Sequence, residues 1–352
     1  MDPYQQVQQR IKALRRTWLV TGVAGFIGSH LAEKLLQMGQ TVVGLDNFST
    51  GKRENLELLR RAVGEARWAA FRFIEGDIRS IDTCNAACDS VDVVLHQAGL
   101  GSVPRSIDRP LRTHESNVNG FLNILLAARD AGAARLVYAS SSAVYGDHPA
   151  LPKVESQIGR AMSPYGLSKR INELYADVFA ACYGFQTIGL RYFNVFGPRQ
   201  DPDGPYASVI PAWLGALLRG EPAYVNGDGS AARDYCHVDN VVQANLLAAT
   251  VEDRQAVGEA YNVAVGEQTT LDELFEIMRT LLAQRLPHLH AARPVYRAPR
   301  RGDMLLSRAD VGKAERLLGY RPTFDLRAGL AQTIDWYVGH LLPAARGSLA
   351  HV

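Results

Sequence analysis

Thr21-Gly22-Val23-Ala24-Gly25-Phe26-Ile27-Gly28 is the stretch that decides the fold of this chain. Ahead of it, residues 17–22 are apolar and β-branched, the composition of a strand. Behind it, residues 26–38 place apolar side chains at helical spacing. Glycines between a strand and a helix permit a tight turn, close approach of the backbone to a pyrophosphate, and tight packing of helix on strand. The first turn of that helix offers unpaired N–H groups to phosphate oxygens. Gly22, Gly25, Phe26, Ile27 and Gly28 are therefore read as the phosphate turn of a dinucleotide site.

The same alternation continues outward. Residues 41–47, 71–77, 91–98, 135–141 and 185–192 read as further strands, and 117–130 and 164–183 as helices between them. The strand runs are nearly continuous in apolar residues, as strands covered on both faces are. The fold class expected is α/β, a Rossmann-type doubly wound parallel sheet with a smaller C-terminal α/β lobe. Beyond residue 196 the texture changes: 197–205 is dense in Gly, Pro and Asp, and helical patterns return at 271–282 and 326–338. Residues 1–196 and 236–265 are assigned to the dinucleotide-binding domain, and 197–235 and 266–352 to the substrate lobe.

Composition narrows the partners. Of 352 residues, 47% are hydrophobic, enough for a sizeable core. The 38 basic and 36 acidic side chains leave a net charge of +2, which points to neither nucleic acid nor a membrane surface. Cys84, Cys88, Cys182 and Cys236 form no metal-binding spacing and read as buried free thiols in a reducing cytoplasm. Residues 1–16 are rich in Gln and charge, unlike a signal peptide.

The second strand ends on Asp46, eighteen residues after Gly28. A carboxylate there accepts both adenosine ribose hydroxyls and repels a 2′-phosphate, which favours NAD over NADP. Lys52 and Arg53 nearby weigh the other way. Asn47 follows Asp46, and Asp77-Ile78 at the end of the third strand is placed near the adenine. Tyr165 and Lys169 stand four apart in a helix and share a face. An ammonium and a cationic nicotinamide lower the cost of a phenolate, whose ordinary pKa is about 10. Such a tyrosine takes a proton from an alcohol. Ser140-Ser141-Ser142 lies at the carboxyl edge of the sheet, where ligands sit in doubly wound folds. Ser141 is the first choice to bridge the tyrosine and the reacting oxygen, Ser142 the second.

These motifs, with Arg191-Tyr192-Phe193-Asn194-Val195-Phe196-Gly197-Pro198, stand in an order that resembles the extended short-chain dehydrogenase/reductases, UDP-hexose 4-epimerase branch. The strings Leu95-His96-Gln97-Ala98, Gly101-Ser102-Val103-Pro104-Arg105-Ser106 and Gly146-Asp147-His148-Pro149 are similar to bacterial 4-epimerases of UDP-N-acetylhexosamines or their uronic acids. The resemblance implies NAD as cofactor, with Gln97 and Ala98 beside it, and a UDP-sugar substrate. It places Asn194, Arg233, Arg300 and Asp303 on the diphosphate and ribose, and Tyr224 and Asn226 at the uracil. Ser102, Gln200, Ser208 and Ser307 line the sugar pocket, where serine at 307 leaves room for an N-acetyl group. It further implies a homodimer through the helices at 117–130 and 164–183.

Related dehydratases carry an Asp-Glu pair where this chain has Ser142-Ala143, so elimination lacks its acid and base. Epimerisation at C4 through a transient 4-keto sugar is the reaction expected. Two alternatives stand beside it. An NADP-dependent nucleotide-sugar reductase is opposed by Asp46, and a non-catalytic dinucleotide sensor by the intact Tyr–Lys pair.

Overall fold

The computed structural model describes residues 2–204, 206–299 and 306–348, with side chains as far as residue 342. Its centre is a seven-stranded parallel sheet made of β1 (Thr17–Thr21), β2 (Thr41–Asp46), β3 (Phe71–Glu75), β4 (Val93–His96), β5 (Arg135–Ser141), β6 (Thr187–Tyr192) and β7 (Glu259–Val263). Their order across the sheet is β7-β6-β5-β4-β1-β2-β3. The chain reverses its direction of travel between β1 and β4, leaving a crevice above their carboxyl ends. The fold class read from the sequence is the one observed. Strand ends fall one or two residues inside the expected runs, because residues such as Gly22 and Asn47 already turn toward the crevice.

Side chains alternate across the sheet as the pleat requires. Trp18 and Val20 of β1 enter one core cluster with Leu31, Leu35, Val137, Ile188 and Tyr261. Leu19 enters the opposite one with Val43, Val94, Phe121, Ile124 and Leu136. The first face is covered by α1 (Pro3–Ala13), α2 (Phe26–Gln37) and, further along the chain, α6 (Val238–Thr250); the second by α3 (Gly120–Asp130) and α4 (Pro164–Tyr183). A third cluster joins Phe196, Trp213, Phe275, Met278, Leu330 and Tyr337 beneath α5 (Val209–Leu218), α7 (Leu271–Ala283) and α8 (Leu326–Ser348).

Two helices differ from the expected pattern. The helix expected from residue 117 begins with a π-helical stretch, Glu115–Asn119, before α3. That wider turn carries Asn117, whose amide exchanges hydrogen bonds with the main chain of Leu100 (2.7 and 3.1 Å) and donates to Ser168 Oγ (3.1 Å). π-turns of this kind recur at functional sites. The last helix continues to Ser348, well past residue 338. Cys84, Cys88 and Cys236 are buried free thiols, but Cys182, near the exposed end of α4, lies at the surface. No helix among the described residues is long and apolar enough to cross a membrane.

Candidate active site

The carboxyl ends of β1, β2, β4, β5 and β6, with the first turns of α2 and α4, enclose a cavity of about 600 Å³. At one end lies the glycine turn. Gly22 sits at φ +70°, and a Cβ there would lie 2.8 Å from Ala98 N. A Cβ on Gly28 would lie 2.1 Å from the Gly22 carbonyl oxygen. Only hydrogen at both positions lets α2 start this close to β1 and β4. Gly25 caps the helix without a side chain, so the N–H groups of the first turn face the cavity.

Asp46 holds this turn in place. One carboxylate oxygen accepts from Ala24 N (2.9 Å) and the other from Phe48 N (2.8 Å). Burial pushes its carboxyl above the ordinary range, and these N–H bonds oppose the shift. Asn47 donates to Asp77 at 2.8 Å. Burial raises the Asp77 carboxyl, but Arg79 and Asn47 hold it down at about 2. The two cations that favoured a 2′-phosphate are engaged elsewhere: Lys52 pairs with Asp201 at 2.7 Å, and Arg53 pairs with Glu75 at 2.8 Å and covers the Phe48 ring. Gly22, Gly25, Phe26, Ile27, Gly28, Asp46, Asn47, Asp77, Ile78, Gln97 and Ala98 all line this cavity. An anion-ready helix start beside a carboxylate at the ribose position fits NAD.

At the other end stand the reacting candidates. β5 delivers Ser141 to the sheet edge, and Ser163 caps α4 by accepting from Gly166 N (3.0 Å), which puts Tyr165 in the first helical turn. A Cβ at Gly166 would lie 2.6 Å from the Ala143 carbonyl oxygen, so glycine lets α4 close onto the Ser141 turn. The Tyr165 hydroxyl lies beside Ser141 at the cavity wall. Burial raises the phenol above its ordinary value, and the serine contact lowers it. Lys169 reaches the Ala139 carbonyl (2.7 Å) rather than the phenol itself. Burial brings its amine down to about 8, while Glu173 one turn later pulls it up. Ser140, Ser141 and Ser142 all border the cavity, but the Ser140 hydroxyl is committed to Glu173, to which it donates at 2.7 Å.

Among the substrate candidates, Ser102, Asn194, Ser208 and Arg233 line the same cavity. Ser102 (φ 103°) and Asn194 (φ 24°) hold backbone conformations uncommon outside glycine, as residues fixed at binding sites often do. Gln200, Tyr224, Asn226 and Ser307 are not brought to its wall. Gln200 donates to Val195 O (3.1 Å), and Tyr224 lies under Arg297 on a short strand that pairs with residues 295–297. Asn226 belongs to that strand. Ser307 is buried behind Arg233, its N–H donating to Ala232 O at 3.0 Å. Arg300 and Asp303 lie outside the described residues. Sequence reasoning missed Asn117, Glu173 and Asp234, polar residues inside otherwise ordinary runs, whose partners are distant in the chain.

Residues 18–264 match the NAD dependent epimerase/dehydratase family. A protein named putative UDP-glucose 4-epimerase of Methanocaldococcus jannaschii is 35% identical over 320 residues, covering 90% of this chain and 97% of that one. The UDP-N-acetylglucosamine 4-epimerase from Methanobrevibacter ruminantium M1, solved in complex with UDP-N-acetylmuramic acid, has a TM-score of 0.84 and 34% identity, covering 92% of this chain and 99% of that one. The UDP-glucuronic acid 4-epimerase from Bacillus cereus, in complex with UDP-glucuronic acid and NAD, has a TM-score of 0.82 and 28% identity, with the same coverage. A glycine turn fitted to a dinucleotide and a Ser–Tyr pair at the sheet edge thus accompany a family match through both, and this chain belongs to the NAD dependent epimerase/dehydratase family.

Proposed function

We propose that the protein is a UDP-sugar 4-epimerase that uses NAD catalytically, and that its substrate is a UDP-N-acetylhexosamine (UDP-GlcNAc/UDP-GalNAc) or the corresponding uronic acid. The observation that carries the reaction type is the set of acids at the cavity. Among the described residues that line it, the only carboxylates are Asp46 and Asp77, both committed at the dinucleotide end. Beside Ser141 stand Ser142 and Ala143, which offer neither the acid nor the base that elimination of water requires.

NAD, when bound, supplies the hydride acceptor and donor for C4 of the sugar. The chain's own residues handle the proton and the position. Tyr165 takes the O4 proton and returns it, with Ser141 bridging phenol and sugar oxygen. A neutral, buried phenol is a poor base, so Lys169 and the positive ring of the oxidised cofactor supply the charge that makes its ionisation affordable. Arg233 and Asn194 hold the diphosphate, a contact that suits a forked guanidinium. An epimerase must present both faces of one sugar to one hydride carrier. Anchoring the diphosphate while leaving the sugar room to turn meets that need.

The N-acetyl preference rests on the family pattern at Ser307, where a small side chain replaces a bulky one that would crowd the C2 substituent, even though Ser307 itself lies behind the cavity wall. Its buried hydroxyl has no hydrogen-bond partner among the described residues. The test is NMR of UDP-N-acetylglucosamine and, separately, its uronic acid, each with enzyme and trace NAD. Conversion to the galacto isomer without net cofactor reduction is the expected result. No conversion of either, with NAD demonstrably bound, refutes the substrate assignment. We also propose a homodimer through α3 and α4, since Leu167, Leu174 and Val178 expose one apolar face of α4. Light scattering should give twice the chain mass; a monomer at micromolar concentration refutes it.

A further inference from the structure

We propose that Asp234 is a positioning residue that sets the spacing between the diphosphate and sugar sides of the substrate pocket, an inference that rests on the UDP-sugar reading above. Asp234 is fully buried, and among the described residues its carboxylate faces no guanidinium or ammonium. It accepts three backbone N–H groups from two separate segments. One oxygen takes Val265 N at 3.0 Å; the other takes Gly266 N at 3.0 Å and Ala309 N at 3.2 Å. Its own carbonyl accepts from Asn194 Nδ2 at 2.9 Å. Burial pushes the carboxyl up to about 6 against the pull of these donors.

Two of these links lead to pocket residues, Asn194 and Arg233, and the third to the segment of Ser307 behind the wall. Asn194 holds a left-handed backbone, and its amide is tied to the Asp234 main chain. Arg233 is the preceding residue, and its strand partner is Thr269, just beyond Gly266. Ala309 lies two residues from Ser307, whose N–H is bonded to Ala232 on the other side of Arg233. The same segment continues to Lys153: Lys153 N donates to Arg308 O (2.7 Å), and Asp310 N donates to Lys153 O (3.0 Å). One carboxylate therefore joins the exit of β7, the Arg233 strand and the segment that carries Ser307. A neutral amide in this place would offer one acceptor oxygen instead of two, and its nitrogen would meet donors. What an acceptor-only group alone provides is the gathering of three donors onto two oxygens.

The experiment is Asp234→Asn in the NAD-loaded enzyme. The amide nitrogen then confronts donors where an acceptor stood, while shape is kept. The expected result is a KM for UDP-N-acetylglucosamine, and a Kd for UDP by calorimetry, raised tenfold or more. The expected kcat stays within threefold, with bound NAD unchanged. KM and UDP affinity within twofold of the parent overturn the proposal. So does a parallel loss of NAD, kcat and thermal stability, which marks a role in folding alone. If the parent binds UDP but turns over no UDP-sugar, the functional reading fails while the UDP measurement still judges Asp234. Should the variant not fold, amide exchange in the unmodified holoenzyme decides. UDP should slow exchange at Val265, Gly266 and Ala309 at least tenfold, and unchanged exchange there overturns the proposal.

Discussion

Glu173→Gln probes the network behind the reacting pair. The Glu173 carboxylate accepts from Arg191 Nε at 2.8 Å and a second Arg191 nitrogen at 3.0 Å, from Arg170 at 3.0 Å and from Ser140 at 2.7 Å. Both Glu173 and Arg191 side chains are only 3% exposed, so water cannot replace the lost charge. Arg191 keeps bonds to Tyr145 (3.1 Å) and Glu155 O (2.9 Å), neither an anion. Breaking a buried pair from one side costs about 3–5 kcal/mol. At about 2.1 cal/mol/K per residue, this chain unfolds with an entropy of about 0.7 kcal/mol/K, so the melting midpoint should fall by about 4–7 °C. Calorimetry at pH 7 with saturating NAD measures it. If the penalty is an orphaned guanidinium, adding Arg191→Met should recover at least half of the loss, because an apolar side chain needs no counter-charge. A single variant that melts within 1 °C of the parent, or a double variant no better than the single, refutes this reasoning.

Three further outcomes are expected. Tyr165→Phe should lower kcat by about 10²–10⁴-fold with NAD still bound; unchanged turnover removes Tyr165 from the proton transfer. In Gly28→Ala the new Cβ, 2.1 Å from the Gly22 carbonyl oxygen, must force α2 away by about 1.3 Å or more to reach ordinary contact distance. Fluorescence titration should then show NAD affinity at least tenfold weaker, and unaltered affinity counts against the close approach. Burial lowers the Lys169 amine to about 8, so it is mostly charged at pH 7 and loses its charge as pH rises through that value. The kcat profile should fall on its alkaline side near pH 8, and a flat profile to pH 10 excludes Lys169 as its source.

The substrate side shows where legibility in the sequence runs out. Gly22, Asp46 and Tyr165 announced themselves because each belongs to a short motif whose members meet through adjacent strand, turn and helix. Asn194 and Arg233 were found through family pattern, and the structure brings both to the cavity. Gln200, Tyr224, Asn226 and Ser307 lie off its wall, since their placement depends on short strands and bridges between segments far apart in the chain. Lys169 was expected as a nearby ammonium that stabilises the Tyr165 phenolate; its amine donates to Ala139 O, a detail the four-residue spacing leaves open because it specifies a shared face but not where a long side chain ends.

By itself, the order of apolar runs and glycine turns determined the sheet, its crevice and the dinucleotide end of the cavity, since periodicity and backbone freedom are local properties of the chain. Only the tertiary structure decided that the Ser140 hydroxyl turns to Glu173, and that Lys52 and Arg53 are spent on Asp201 and Glu75. It also decided that Asp234 gathers Val265, Gly266 and Ala309. Each of these is a choice among partners distant in sequence, made by burial and hydrogen-bond geometry that no local pattern encodes.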